Sequence, residues 1–239
     1  MSGGDAIAFD DEAGVRAAIE NATHILSSVP PMGEGGDPVL LKYGDRIAAS
    51  GVSWLGYLSS TGVYGDTGGA WVDESAAIGE GRRTARADAD LAWQALRSDV
   101  AVFRLPGIYG PGRSALERVE DGKAHRIDMP GQIFSRVHVD DIISAVIAAF
   151  DGPGGVYNIA DDMPASQNDV IEYACDLLAQ DWPPLMTLDG AGLSPMARGF
   201  YAENRRVSNM KAKRLLGWTP KYADYRRGLS ALLAARAIT

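Results

Sequence analysis

Tyr57-Leu-Ser-Ser-Thr-Gly-Val-Tyr-Gly-Asp66 is the stretch on which the reading of the chain turns. It follows Gly51-Val-Ser-Trp-Leu-Gly56, so a short apolar run ends in hydroxyls and then turns on glycine. Such a run reads as a buried parallel strand whose carboxyl end delivers hydroxyls to a crevice. Upstream, Ala6-Ile-Ala-Phe9 is a short apolar run expected to be a strand, with Asp10 and Asp11 opening a helix over 12–21. Another strand is expected over 24–29, stopped by Pro30-Pro31, then a helix over 38–49 and a third strand over 54–58. Strand, helix, strand, helix, strand is the pattern of an α/β sheet with parallel pairing.

Downstream the spacing predicts a helix over 81–97, with Ala85, Ala89, Ala92, Trp93 and Leu96 on one face. A fourth strand over 100–105 ends at Pro106-Gly107, and a further strand is expected over 132–139. Asp140 or Asp141 would cap a helix over 142–150, and a strand follows over 156–160. Ser166 or Asn168 would begin a helix to Leu178; a helix over 208–216 closes on Gly217, and an amphipathic segment covers 225–233.

A chain of 239 residues can bury one good core, and 46% apolar with 23% charged residues is ordinary for a globular protein. The net charge of −8 argues against a nucleic-acid partner, which calls for a basic face. Basic residues do gather at Arg82, Arg83 and Arg86, and at Arg205, Arg206 and 211–214, as solvated helix faces or as an anion site. Cys175 is the single cysteine, which excludes an internal disulfide and reads as a packing residue. His24, His125 and His138 stand well apart, so no metal site is expected. No apolar run approaches the ~18 residues of a membrane span, and the opening Met-Ser-Gly-Gly-Asp lacks the regions of a signal peptide. The expectation is a cytoplasmic protein with no membrane partner.

Six fragments occur in a telling order: Ser59-Ser-Thr-Gly-Val-Tyr-Gly65, Asp73-Glu74, Arg104-Leu-Pro-Gly-Ile-Tyr-Gly-Pro-Gly112, Arg136-Val-His-Val-Asp-Asp141, Val156-Tyr-Asn-Ile-Ala160 and Leu215-Leu-Gly-Trp-Thr-Pro220. Together they resemble the extended short-chain dehydrogenase/reductase (SDR) family, in an atypical branch described as NAD(P)-dependent oxidoreductase or epimerase/dehydratase. The resemblance implies a Rossmann-like, doubly wound parallel sheet, incomplete at its front, with a small C-terminal substrate region. Residues 1–156 would form a partial dinucleotide-binding domain and 157–239 mainly the substrate region. It also implies NAD or NADP as cofactor, a small hydroxyl, keto or sugar-like substrate, and a homodimer formed through the helices at 38–49 and 81–97.

Residue by residue, the resemblance puts Ser60 at the family's catalytic Ser/Thr, Arg82 at its tyrosine and Arg86 at its lysine. Phe9 and Asp10 would face adenine; Ser28, Val29 and Pro30 would line the pyrophosphate and ribose; Pro106 and Gly107 would lie beside the nicotinamide. Ser59 is either a cofactor contact or a strand-end hydroxyl satisfying backbone groups. Tyr64 is either a replacement base or a structural tyrosine, and Tyr109, carried as a substrate contact, has the same ambiguity. Arg113 and Arg136 could meet an anionic substrate, with an ion pair to Asp140 or Asp141 as the rival reading for Arg136. His138 reads as structural before catalytic.

Two departures matter. No Gly-x-x-Gly-x-x-Gly follows an opening strand, and Gly33-Glu-Gly-Gly36 is no substitute, since it follows a later strand and precedes Asp-Pro. The resemblance begins at the family's third strand, which leaves the 24–29 strand with an unpaired edge. Either the front rearranges, or a partner supplies the edge; a truncated gene product is the bland explanation. The Tyr-x-x-x-Lys pair is also missing, and an arginine stays protonated, which makes it a poor proton acceptor. The expected protein is therefore an impaired NAD(P)-dependent enzyme or a non-catalytic SDR-derived ligand-binding or sensor protein. No Ser-His-Asp triad is in sight.

Overall fold

The computed structural model describes residues 5–79 and 84–236. Its first half runs α1 (Glu12–Asn21), β1 (His24–Ser27), α2 (Pro38–Ala48), β2 (Trp54–Ser60), β3 (Trp71–Val72), α3 (Thr84–Leu96), β4 (Ala101–Leu105) and β5 (Gly107–Tyr109). The second half runs α4 (Ala115–Glu120), β6 (Arg126–Ile127), β7 (Arg136–His138), α5 (Val139–Ala148), β8 (Gly155–Asn158), α6 (Gln167–Leu178), β9 (Leu185–Met186), α7 (Pro195–Tyr201), β10 (Arg206–Val207), α8 (Met210–Leu216) and α9 (Tyr225–Arg236).

The main sheet has the order β1-β2-β4-β8, with every pair parallel. Side chains alternate between its two faces. On one face Leu55, Tyr57 and Val102 pack with Tyr43 and Ile47 of α2 and Trp93 of α3. On the other, Trp54, Phe103 and Tyr157 pack with Ile142, Ala145 and Val146 of α5. The Trp54 indole N–H donates to the Ala149 carbonyl at 2.9 Å, which ties that layer to the sheet. A further core away from the sheet joins α4, α6 and α9 through Leu116, Ile171 and Leu229, all but fully buried. Each such side chain contributes about 1.5–3 kcal/mol.

The architecture is the expected α/β parallel sheet, with differences of local cause. Residues 6–9 form no strand: Phe9 packs edge-on against Tyr43 and its carbonyl accepts the Tyr43 hydroxyl at 2.5 Å. With no strand beside it to complete a ladder, the apolar run stays largely exposed, Ile7 at 44% and Phe9 at 42%, and only the Phe9 ring rests on α2. The strand expected over 132–139 shrinks to β7, and α5 starts at Val139, capped neither by Asp140 nor by Asp141. Its cap is His138, whose Nδ1 accepts the Asp140 N–H at 3.1 Å. The Asp141 carboxylate is engaged elsewhere, by the backbone N–H groups of Lys221 and Tyr222. Ser166 caps α6 in a reciprocal box with Asp169, while Asn168 turns away to bind both backbone groups of Ile127. Gly217, at φ +61°, closes α8. Of the helix expected over 81–97, residues 81–83 lie outside the described residues, and α3 begins at Thr84.

Candidate functional site

The carboxyl ends of β1, β2 and β4 lie side by side, and their registry decides what meets there. Ser59 is paired with Arg104, and Arg104 with Asn158, so one sheet face carries a hydroxyl, a guanidinium and an amide in a row. Arg104 is 2% exposed. It is neutralised by Asp90 of α3 through two hydrogen bonds, Nε to Oδ2 at 3.1 Å and Nη2 to Oδ1 at 2.8 Å. The Ser59 hydroxyl donates to Asp90 Oδ2 at 2.5 Å and the Gln94 amide to Oδ1 at 2.6 Å. Arg104 Nη1 donates to the Tyr64 hydroxyl at 3.0 Å, which in turn donates to Asn158 Oδ1 at 2.7 Å. Asn158 completes the chain, its N–H donating to Glu74 Oε1 at 2.7 Å. Burial opposes the charge on Arg104, yet its bonds to Asp90 and Tyr64 leave its pKa raised.

This network fixes the roles of two expected site residues. The Tyr64 phenol already uses its proton toward Asn158 and accepts from Arg104, and burial raises its pKa despite those two partners. That arrangement positions strand ends and leaves no free phenol for a substrate. Ser59 is likewise occupied by Asp90. Ser60, half-buried at the mouth of β2, accepts the Gly62 N–H at 3.1 Å and starts the tight turn Thr61–Tyr64, with Gly65 at φ +67° turning the chain away.

A second group on the same face was not anticipated. Tyr57 is fully buried, stacks flat on Trp93 (5.1 Å, 10°), and its hydroxyl has no hydrogen-bond partner. Its registry partner Ser27, at the end of β1, is also buried with an unpartnered hydroxyl. Burial and the nearby Asp37 push the Tyr57 pKa up to about 12, while the Arg86 guanidinium, beside it but outside hydrogen-bonding geometry, pulls the other way. Tyr57 sits two positions before Ser59, and strand alternation alone would have put it on the same face.

The other expected contacts are dispersed. Ser28, Val29 and Pro30 are exposed beyond β1, and Asp10 is an exposed ion-pair partner of Lys42 at 3.0 Å on α2. Pro106 and Gly107 sit where β4 gives way to β5, with the Gly107 N–H donating to the Ser135 carbonyl at 3.2 Å. Arg113 is exposed on a tight turn with Gly110. Arg136 forms no ion pair with Asp140 or Asp141; its guanidinium donates to the carbonyls of Phe134, Ala165 and Ser166 and to the Gln167 side chain. Tyr109 is buried with an unpartnered hydroxyl. Arg205 and Arg206 bind the carbonyls of Gly65 and Gly69, so they brace loops. Arg82 lies outside the described residues.

A pyrophosphate does not fit the strand ends among the described residues. The helix opening after β1 is α2, and Asp37 caps it with its own carboxylate, taking the Val39 and Leu40 N–H groups at 2.9 and 3.0 Å. An anion would meet a carboxylate where it needs free N–H groups. A concavity of about 470 Å3 lined by Trp71, Val72, Asp73, Ser75, Ala76 and Ser208 lies near β3, but contains none of the expected site residues. The strand ends, where hydroxyl, amide and guanidinium groups converge, are the better candidate.

No family model matches the chain. It is similar to a protein of unknown function from Silicibacter pomeroyi DSS, at 44% identity and a TM-score of 0.85, over 95% of this chain and 88% of that one. It is similar in fold to the ADP-L-glycero-D-manno-heptose-6-epimerase of Helicobacter pylori, with 17% identity and a TM-score of 0.73 over 96% of this chain and 76% of that one. The UDP-glucuronic acid 4-epimerase of Bacillus cereus, solved in complex with NAD, gives 15% identity and a TM-score of 0.71 over 93% and 77%. A 3-diazoavenalumate denitrifying reductase from a Streptomyces species is 31% identical over 160 residues, 61% of this chain and 52% of that protein. The chain thus spans about half the length of this curated relative.

Proposed function

We propose that the chain is a member of the extended SDR family and carries part of an NAD(P)-dependent oxidoreductase or epimerase-like protein, a reading supported by its likeness in fold to two epimerases and by a reductase relative. Its substrate is a small hydroxyl, keto or sugar-like compound. The observation that carries this reading is the saturated Ser59–Asp90–Arg104–Tyr64–Asn158 network, which locks the ends of β2, β4 and β8 together and leaves Ser60 at their mouth. The fold neighbour from B. cereus holds NAD, and the Streptomyces relative is a reductase. When bound, a nicotinamide would supply hydride. This chain's own residues offer Ser60 as a hydrogen-bonding hydroxyl and Arg86 as a cation near Tyr57; among the described residues there is no phosphate cradle, and Tyr64 is already committed.

The expected consequence is weak dinucleotide binding by the chain as given. Titration of the purified protein with NADH and NADPH, followed by nicotinamide fluorescence, is expected to give no saturable binding below millimolar concentration. Saturable micromolar binding would sink this reading of the cleft. A second reading, a ligand-binding or sensor protein without turnover, draws its support from the Tyr64 phenol being committed at both its donor and its acceptor side.

A further inference from the structure

Away from the main sheet, β3 and β10 form a parallel ribbon in which Trp71 pairs with Arg206 and Val72 with Val207. The pairing is extended at both ends, the Arg206 N–H donating to the Ala70 carbonyl and the Ser208 N–H to that of Val72, each at 2.9 Å. Val72 is buried with Val63, Tyr64 and Val207. Strand alternation puts Trp71 and Asp73, two positions apart, together on the opposite face. Both line the concavity of about 470 Å3, whose wall is completed by Ser75, Ala76 and Ser208. Its size is that of a small-molecule site. The Trp71 indole, at 60% exposure, is largely left to solvent on a braced strand.

The charge in this hollow is fixed by its neighbours. Asp73 Oδ1 accepts the Ser75 N–H at 2.9 Å and the Ser75 hydroxyl at 2.6 Å, and these bonds hold the carboxyl below the usual carboxylate range. Asp73 therefore stays ionised at neutral pH, and among the described residues no cation forms an ion pair with it. The Lys211 ammonium acts on it only from a distance, lying instead 5.2 Å from the centre of the Tyr157 ring. Glu74 turns away to accept the Asn158 N–H. The Ser208 hydroxyl lies 3.4 Å from the Met210 N–H and accepts it weakly. The lining thus offers an aromatic ring, a carboxylate and two hydroxyl oxygens, and it contains no cationic side chain.

We propose that this concavity binds a small organic ammonium ion, with its methyl or methylene groups against the Trp71 indole and its charge beside Asp73 Oδ2. Tryptophan has the most attractive ring face for a cation, and a quaternary ammonium group keeps its apolar surface in contact with the ring while its charge interacts with the π-system. The carboxylate supplies the opposite charge. A phosphate or carboxylate ligand would be repelled by Asp73. The net charge of −8 favours the approach of a cation over that of an anion. None of the lining residues belongs to the Ser59–Asp90–Arg104–Tyr64–Asn158 network, so the proposal stands apart from the dinucleotide reading.

The test is a titration of the purified chain with choline at low, constant ionic strength, without added cofactor. It is followed by NMR at the Trp71 indole N–H and the Ser75 amide. A saturable shift of both signals is expected, with a dissociation constant of about 1–10 mM, since both contacts are solvent-exposed. The neutral isostere of choline, with carbon in place of the ammonium nitrogen, should bind roughly tenfold more weakly or worse. Asp73→Asn keeps the oxygen that Ser75 binds and removes the charge; Trp71→Leu keeps an apolar side chain and removes the ring. Each should weaken choline binding roughly tenfold, read at the Ser75 amide, while the remaining amide spectrum shows the fold intact. No saturable shift at tenfold higher choline, equal binding of the neutral isostere, or unchanged binding in either variant would overturn the proposal. NADH binding or its absence leaves each of these outcomes as it is.

Discussion

Arg104, Asp90 and Tyr64 on one side of the molecule, and Arg136, Asp161 and Tyr109 on the other, are the same three residue types, all less than 10% exposed. In the first set every group is partnered, and the guanidinium lies against the carboxylate at 2.8 Å. In the second the guanidinium is held by three carbonyls and a side-chain amide, one Asp161 oxygen and the Tyr109 hydroxyl have no partner, and the Nε2 of nearby His138 is unpartnered too. The consequence is electrostatic. Burial pushes the Asp161 pKa up to about 8 even though Arg136 opposes it, and burial with Asp161 and Asp141 raises that of Tyr109. Charge is stable inside a protein only where its partners are in place. The first set keeps its ions, and the second holds its acid neutral at neutral pH.

The sharpest way to break this contrast is to remove one ion of the first set. Asp90→Ala leaves Arg104 buried and unpaired and is expected to destabilise the protein by about 3–5 kcal/mol in urea unfolding. A loss below about 1 kcal/mol would show that the pair is dispensable. Tyrosine deletions come next. Tyr64→Phe removes a hydrogen bond from Arg104 and one to Asn158 and should cost about 1.5–3 kcal/mol, whereas Tyr109→Phe removes no bond and should stay within about 0.5 kcal/mol. Equal costs would erase the distinction between the two sets.

The last contrast is read against pH. The folded-state pKa of Asp161 lies above its unfolded value, so its stabilising contribution is complete below about pH 4 and is lost as pH rises through about 8. Asp161→Asn, which stays neutral, should therefore match the parent protein at low pH and be the more stable of the two at pH 9. A difference that does not change with pH would assign the orphaned oxygen no electrostatic role.

Much of the sheet was legible in the sequence, because β2, β4 and β8 are apolar runs bounded by glycine or proline and lie at the spacing of parallel units. Arg104 was a readable warning: a charge inside Ala101-Val-Phe-Arg-Leu105 demands a buried partner, and Asp90 was there to be asked. The fate of Ala6-Ile-Ala-Phe9 was not legible, since a four-residue apolar run becomes a strand only if another strand lies beside it. The His138 cap escaped because Asp140 and Asp141 are the commoner capping residues, and Asp141 was needed by Lys221 and Tyr222. Tyr57 and Ser27 escaped because each looks like ordinary strand filling until the registry puts two hydroxyls side by side.

The partner that completes the Tyr64 network lies 94 positions further along the chain, and Glu74 meets the same Asn158 across 84. At 5–20 residues per second of synthesis, Tyr64 waits on the order of 5–20 s for its acceptor. During that interval β4, buried at every residue in the finished protein, is a nascent strand with its β8 edge bare. A strand of that composition is at its most adhesive before its neighbour exists. Birth order thus leaves β4 with that edge bare until β8 has been made.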